Sequence, residues 1–346
     1  MSSHLERELR EQPDALARLL ETQRANAARI GELFRRPDVK YVLIASRGSS
    51  SNAARYAQYL LGRAHRVPVA FATPSLYTLY GQPPRLDGAL VVGISQSGAS
   101  PDVKEVLEEA RRQGRPTVVV TNDASSPLAA VADEVLPLEA GDELAVAATK
   151  TYLNSLGAVA LLFAVANDDR NALVELERVP SQLTLQIERS WDDSLALQRL
   201  DAIEGGTVVA RGVNYGTAFE IALKIRELSG LVFEAYSAAD LMHGPVAAIA
   251  QGWPVFAIAP RGPAFDVMSE AIDALAVRKP RLVVISDDER VLRRAEITLP
   301  LWTHVPEWLS PLIAVVPGQL AALRLAQARG VDLDNPLGLS KITRTR

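Results

Sequence analysis

The hydrophobic pattern switches repeatedly between two periods. Apolar runs of about five residues, Tyr41–Ala45, Ala89–Ile94 and Pro116–Val120, are separated by longer stretches in which apolar positions recur every three or four residues: Asn52–Gly62, Pro101–Gln113 and Thr149–Ala166. The short runs suit strands buried on both faces, the long ones amphipathic helices. The alternation returns after residue 200, with Thr207–Ala210, Val255–Ile258 and Pro280–Val284 as strands and Gly216–Leu228, Ala264–Val277 and Pro317–Ala328 as helices. Such a succession predicts an α/β fold of parallel strands joined by right-handed crossovers, in doubly wound sheets covered on both faces.

The two series are copies of one another. A shift of 164 residues carries Arg47-Gly48 onto Arg211-Gly212, Val91–Ile94 onto Val255–Ile258, and Thr117–Val120 onto Arg281–Val284. Glu134–Leu138 is answered by Glu296–Leu301 near the end of the second copy. This register predicts a duplicated domain. Residues 1–36 read as a helical segment with Leu5, Leu9, Leu16, Leu19 and Leu20 on one stripe, and Leu173–Leu197 as a helical connector with Pro180 near its middle. The predicted organisation is a helical segment (1–36), a first domain (37–167), a connector (168–200), a second domain (201–330) and a tail without helical or strand period (331–346).

In doubly wound sheets ligands bind beyond the carboxyl ends of the strands, where the strand order reverses. The loops Arg47–Ser51 and Ser95–Ser100 fall at that place in the first copy, and both are rich in Ser and Gly. Each runs straight from a strand into a helix, so free backbone amides and the positive end of a helix dipole converge on one spot suited to a phosphate. The same composition also serves an ordinary strand-to-helix turn. The second copy has Ala259-Pro260-Arg261-Gly262 at the matching place and offers fewer hydroxyl donors.

Composition narrows the class. The chain has 346 residues, 48% hydrophobic and 23% charged, which is ample for about two folded domains. A net charge of −4 provides no basic footprint for nucleic acid and no polybasic membrane patch. The absence of Cys excludes disulfides, thiolate metal sites and a Cys nucleophile, and fits a cytoplasmic protein. The charged N-terminus carries no signal-peptide core, and the longest apolar run, Leu156–Ala166, is too short for a bilayer span of about 20 residues, so no membrane association is expected. Only six of the 37 basic residues are Lys, which makes a Lys inside a motif more informative than usual.

Candidate chemistry lies mainly in the second copy. Glu220, Lys224 and Glu227 share one helix face at spacings of four and three and can interact, although the spacing alone favours a solvated charged stripe. His243 sits in Met242-His243-Gly244-Pro245, a tight turn that can present a proton-transferring imidazole or serve structure alone. His4 lies in a terminus, His65 in a basic surface stretch and His304 in a Pro-flanked loop, and no two His share a metal-ligand spacing. The dinucleotide fingerprint, the P-loop and the Gly-x-Ser-x-Gly elbow are all absent, so neither metal nor cofactor is expected.

Taken in order, these motifs resemble the sugar isomerase (SIS) domain family, and within it the isomerase half of glucosamine-6-phosphate synthase and its stand-alone relatives. The phosphosugar loop of that family is similar to Ser95-Gln96-Ser97-Gly98 with Ser100, joined by Gly48-Ser49-Ser50; its sugar-contacting turn resembles Val146-Ala147-Ala148-Thr149-Lys150. Its catalytic helix resembles Glu220–Glu227, its His-Gly-Pro turn His243–Pro245, and its tail Leu339-Ser340-Lys341. The resemblance implies two tandem flavodoxin-like domains of five parallel strands and a homodimer in which His243 serves the neighbouring subunit's site. Substrate contacts would come from Gly48, Ser49, Ser50, Ser95, Gln96, Ser97, Ser100, Val146 and Ala148. His243 would assist ring opening, Glu227 would carry a proton between C1 and C2, Lys224 and Glu220 would orient Glu227, and Lys341 would fold over the sugar and form a Schiff base with the open ketose.

The sequence also departs from the synthase pattern. No glutaminase domain with a terminal Cys nucleophile is expected, Arg47 stands where the synthase has a smaller residue, Ala148 replaces a hydroxyl residue, and Met242 replaces a basic one. The resemblance therefore implies conversion of glucosamine 6-phosphate to fructose 6-phosphate and ammonia. The alternatives are a fructosamine-6-phosphate deglycase, an isomerase of another phosphosugar, or a non-catalytic sugar-phosphate sensor. A sensor of the regulatory kind would carry a DNA-binding domain of about 60 residues, longer than the N-terminal helical segment.

Overall fold

The computed structural model describes residues 2–336, Gly338 and Lys341. The chain divides into two compact units. One holds the described residues of Glu11–Leu144 and Ala148–Glu177 together with Lys341; the other holds those of Met1–Arg10, Ala145–Ala147 and Arg178–Leu339. Of the N-terminal helices, α1 (His4–Arg10) falls in the second unit and α2 (Gln12–Phe34) in the first.

In the first unit the apolar runs form β1 (Tyr41–Ser46), β2 (Val69–Phe71), β3 (Ala89–Ile94), β4 (Thr117–Thr121) and β5 (Glu134–Pro137). Every residue of β3 and β4 is buried, which is why these strands read as continuous apolar runs rather than alternating ones. The strands pair in parallel in the order β2-β1-β3-β4-β5. Around them lie α3 (Gly48–His65), α4 (Ser75–Thr78), α5 (Pro101–Arg112), α6 (Lys150–Ala166) and α7 (Arg170–Glu177). Helix α6 is buried along its whole length; α2 packs on it, and a Cβ at Gly157 would fall 2.4 Å from Leu16.

The second unit repeats the plan with β6 (Gly205–Ala210), β7 (Val232–Ser237), β8 (Pro254–Ile258), β9 (Arg281–Ser286) and β10 (Ile297–Pro300). Its parallel sheet runs β7-β6-β8-β9-β10, the same 2-1-3-4-5 order as the first, so the molecule is a tandem of two flavodoxin-like domains. The helices are α8 (Val179–Asp192), α9 (Ser194–Gln198), α10 (Tyr215–Ser229), α11 (Ala238–Met242), α12 (Phe265–Ala276), α13 (Glu289–Leu292) and α14 (Ser310–Ala328).

Three sequence expectations need correction. Helix α14 begins at Ser310, two turns before Pro317, and takes the proline into its interior. Burial of nearly every residue in α14 overrides the local cost of a missing N–H. The same burial explains why Glu307–Ala328 is long and apolar enough to cross a membrane although no such segment was expected: 94% of its most apolar window is enclosed by the protein, as in the core helix of an α/β domain. The connector region holds three helices, with Pro180 in the first turn of α8, where its missing N–H costs nothing. His65 is half-buried and stacks on Phe34 with ring centroids 5.0 Å apart; burial holds its imidazole below the ordinary His range, with the charge of Arg35 acting in the same direction.

Candidate active site

In the first domain β1 and β3 are neighbours, with Ser46 opposite Ile94 at their carboxyl ends. This is the point where the strand order reverses, and both Ser- and Gly-rich loops leave it. Helix α3 starts at Gly48, whose φ of +52° suits glycine. The amides of Gly48, Ser49 and Ser50 are first-turn donors, and Ser51 N returns to Arg47 O at 3.2 Å. After β3 the chain turns through Gly98 (φ +59°), where a Cβ would fall 2.0 Å from Ser126 Oγ; no side chain fits there. Ser100 caps α5 in an extended conformation, with its hydroxyl 3.5 Å from that of Ser95.

The main chain of this loop is pinned by bonds from Asn122 N to Gln96 O and from Leu128 N to Gly98 O, both 3.0 Å. The amides of Ser97, Gly98 and Ser100 have no acceptor among the described residues. Two helix N-termini and a set of hydroxyls thus meet at one end of adjacent strands, an anion cradle that needs no cation. Arg47 ties its two halves together: Nε donates to Asp102 Oδ2 at 2.7 Å, and a terminal guanidinium nitrogen lies 2.6 Å from the same oxygen. Asp102 is buried and Arg47 about half-exposed.

The same unit holds the start of α6 and Lys341. Glu143, fully enclosed, receives Thr149 N (3.0 Å) and Thr151 N (2.9 Å) on Oε1, and Thr151 Oγ1 (2.7 Å) and Lys341 Nζ (2.9 Å) on Oε2. Burial alone would push this carboxyl up. The Lys341 ammonium and the hydrogen bonds from Thr151 outweigh it and hold the group below the usual carboxylate range. Thr149 Oγ1, beside Ala148, is buried without a hydrogen-bond partner among the described residues. Val146 belongs with the second unit, where Glu8 accepts from Ala145 N; Ala148 belongs with the first. Of the tail motif, Leu339 and Ser340 lie outside the described residues.

In the second domain α10 packs on α14, and a Cβ at Gly318 would fall 2.3 Å from Ile221, so the two backbones approach closely. Glu220 and Lys224 on α10 are both buried, so a solvated stripe is excluded for these two. Lys224 Nζ lies 3.7 Å from Glu220 Oε1 and pairs directly with Glu227 Oε2. Glu227 retains 27% of its side-chain exposure, so the array runs from the interior to an accessible carboxylate. His243 closes α11 and is exposed, its amide bonded to Ala239 O and Asp240 O; Gly244 (φ +152°) and Pro245 follow. Among the described residues no three acidic, His or Cys side chains form a group that could hold a metal ion.

The model of the SIS domain matches residues 38–165 and 207–329, one segment for each sheet. The chain belongs to the SIS-domain family. It is 32% identical to the isomerizing glutamine–fructose-6-phosphate aminotransferase of Zymomonas mobilis over 97% of its own length and 58% of that protein's. The chain thus spans under three-fifths of this relative. A solved structure from Silicibacter pomeroyi, provisionally described as a phosphosugar isomerase, matches with 32% identity and a TM-score of 0.86, over 96% of this chain and 99% of that one. The C-terminal domain of the Francisella tularensis glucosamine–fructose-6-phosphate aminotransferase matches with 26% identity and a TM-score of 0.85, over 97% and 99%.

Within this SIS tandem, two side chains escaped the sequence reading. Asp102 and Glu143 sit in polar stretches, Pro101-Asp102 and Gly141-Asp142-Glu143, where acidic residues read as solvated. Only the structure buries them against cations. The unusual Arg47 was the one available pointer to Asp102.

Proposed function

We propose that this protein is a phosphosugar aldose–ketose isomerase that also releases an amine, with glucosamine 6-phosphate and water giving fructose 6-phosphate and ammonia. The observation that carries the reading is the array on α10: buried Glu220 and Lys224 back a partly exposed Glu227, the arrangement wanted for a carboxylate that takes up and returns one proton. The amides and hydroxyls at Gly48–Ser50 and Ser95–Ser100 suit the phosphate. In this scheme His243 assists ring opening. Glu227 removes the C2 proton of the open aldose and returns it to C1, through an enolamine, to leave an imine at C2. Water, or Lys341 by way of a Schiff base that water then hydrolyses, releases ammonia and the ketose. The active unit is a cytoplasmic homodimer with His243 supplied across its interface, and the domain limits are those drawn from the sequence.

Incubation of the purified protein with glucosamine 6-phosphate should release ammonia, and Glu227→Gln should slow release about 10³-fold. Release by the native protein no faster than by the variant rejects the reading. Arg47 favours a second reading, since its half-exposed guanidinium adds a cation at the loop that a fructosamine 6-phosphate with a carboxylate-bearing amine could meet. A substrate panel scored for free amine against ammonia separates the two.

A further inference from the structure

The division of labour between the two oxygens of Glu143 has a functional consequence. Oε1 serves the chain around the start of α6, taking Thr149 N and Thr151 N. Oε2 takes the Thr151 hydroxyl and the Lys341 ammonium. One enclosed carboxylate therefore fixes the entry to α6 and docks a lysine from near the C-terminus, 198 residues away in sequence, on the same domain. Lys150 does not compete for it, being held by Glu11 Oε2 at 2.6 Å and Asp142 O at 2.7 Å.

We propose that Glu143 is a positioning residue: its Oε2 is the fixed counter-charge that holds the Lys341 ammonium near the start of α6. The consequence for catalysis rests on the functional reading above, in which the Lys341 amine attacks the open sugar: Glu143 holds that amine in one place before it acts. Glutamine at 143 separates the two duties. Its amide oxygen can still accept from Thr149 N and Thr151 N, and its NH2 can donate to the Thr151 hydroxyl, but it offers no second acceptor for Lys341.

Acetic anhydride labelling of the intact chain, read by peptide mass spectrometry, tests the docking without reference to activity. With exposed Lys40 as internal standard, Lys341 should be labelled roughly tenfold faster in Glu143→Gln than in the native protein. An unchanged ratio overturns the docking. In turnover the same variant should lose roughly tenfold in kcat with KM for the phosphosugar within about twofold, because the phosphate loops are untouched; an unchanged kcat overturns the positioning role. The urea midpoints of Glu143→Gln, Lys341→Met and the double variant should be non-additive, and simple additivity likewise counts against the pair. Were the native chain to release no amine from any phosphosugar, the functional reading would fail while the labelling ratio still decided the docking.

Discussion

Lys224 is 1% exposed and stands between Glu220, which is fully buried, and Glu227 at the accessible end. Removing a cation from such a place leaves an enclosed carboxylate without its charge partner, which costs about 3–5 kcal/mol, whereas replacing both partners by apolar groups is far milder. Lys224→Met should therefore lower the urea midpoint markedly, and Lys224→Met with Glu220→Leu should recover most of the loss; equal instability of the two would deny that the pair is coupled. Glu143 adds a pH dependence. Its folded-state pKa is lowered, so its stabilising contribution is complete above the ordinary carboxylate value of 4.5 and lost as pH falls through the lower folded value. The stability gap between the native protein and Glu143→Gln should hold from neutrality down to 4.5 and close below it, and a gap that closes on the alkaline side instead contradicts the assignment. Residue spacing alone revealed that Glu220, Lys224 and Glu227 share a helix face. It left open whether that face meets water, because the burial of Glu220 and Lys224 depends on tertiary packing that the spacing within one helix does not contain.

At the level of elements the two copies differ in what holds the loop after their third strand. After β3 the loop presents Ser95, Ser97 and Ser100, with amides left without protein acceptors. After β8 two of the three matching amides are already claimed, Arg261 N by Asp287 Oδ1 at 2.7 Å and Ala264 N by Glu307 Oε1 at 2.8 Å. A Cβ at Gly262 would fall 2.4 Å from Glu307, so this carboxylate lies tightly on the turn at the start of α12. The second copy of the anion cradle is thus filled by the protein's own acids. Calorimetric titration with a phosphosugar should give one site per chain and lose its heat in Ser97→Ala; two equivalent sites would show that the second loop also binds. Strand positions were legible because strands buried on both faces must be apolar throughout. The filling of the second loop was not legible, since Glu307 and Asp287 reach it from later segments whose return depends on the sheet order.

At the scale of the whole molecule, duplication explains why chemistry can be divided between copies. One domain keeps the loops with unclaimed amides and the Glu143–Lys341 pair, the other the α10 array and the His243 turn, and each rests on the same 2-1-3-4-5 sheet. His243 is exposed, and its ring has no side-chain partner among the described residues, as expected of a group offered to something outside its own domain. The proposed homodimer makes this quantitative through complementation. If each site combines Glu227 of one subunit with His243 of the other, a dimer of one Glu227→Gln chain and one His243→Ala chain contains one site with both changes and one with neither. Each variant alone is inactive, yet random re-assortment puts half the chains into mixed dimers, and half the sites in those dimers are intact. Mixing equal amounts under conditions that allow exchange should therefore restore about one quarter of native ammonia release. If Glu227 and His243 of the same chain work together, every site in every dimer carries one lesion, and mixing restores nothing. The recovered fraction thus discriminates a site shared between subunits from one built within a single chain.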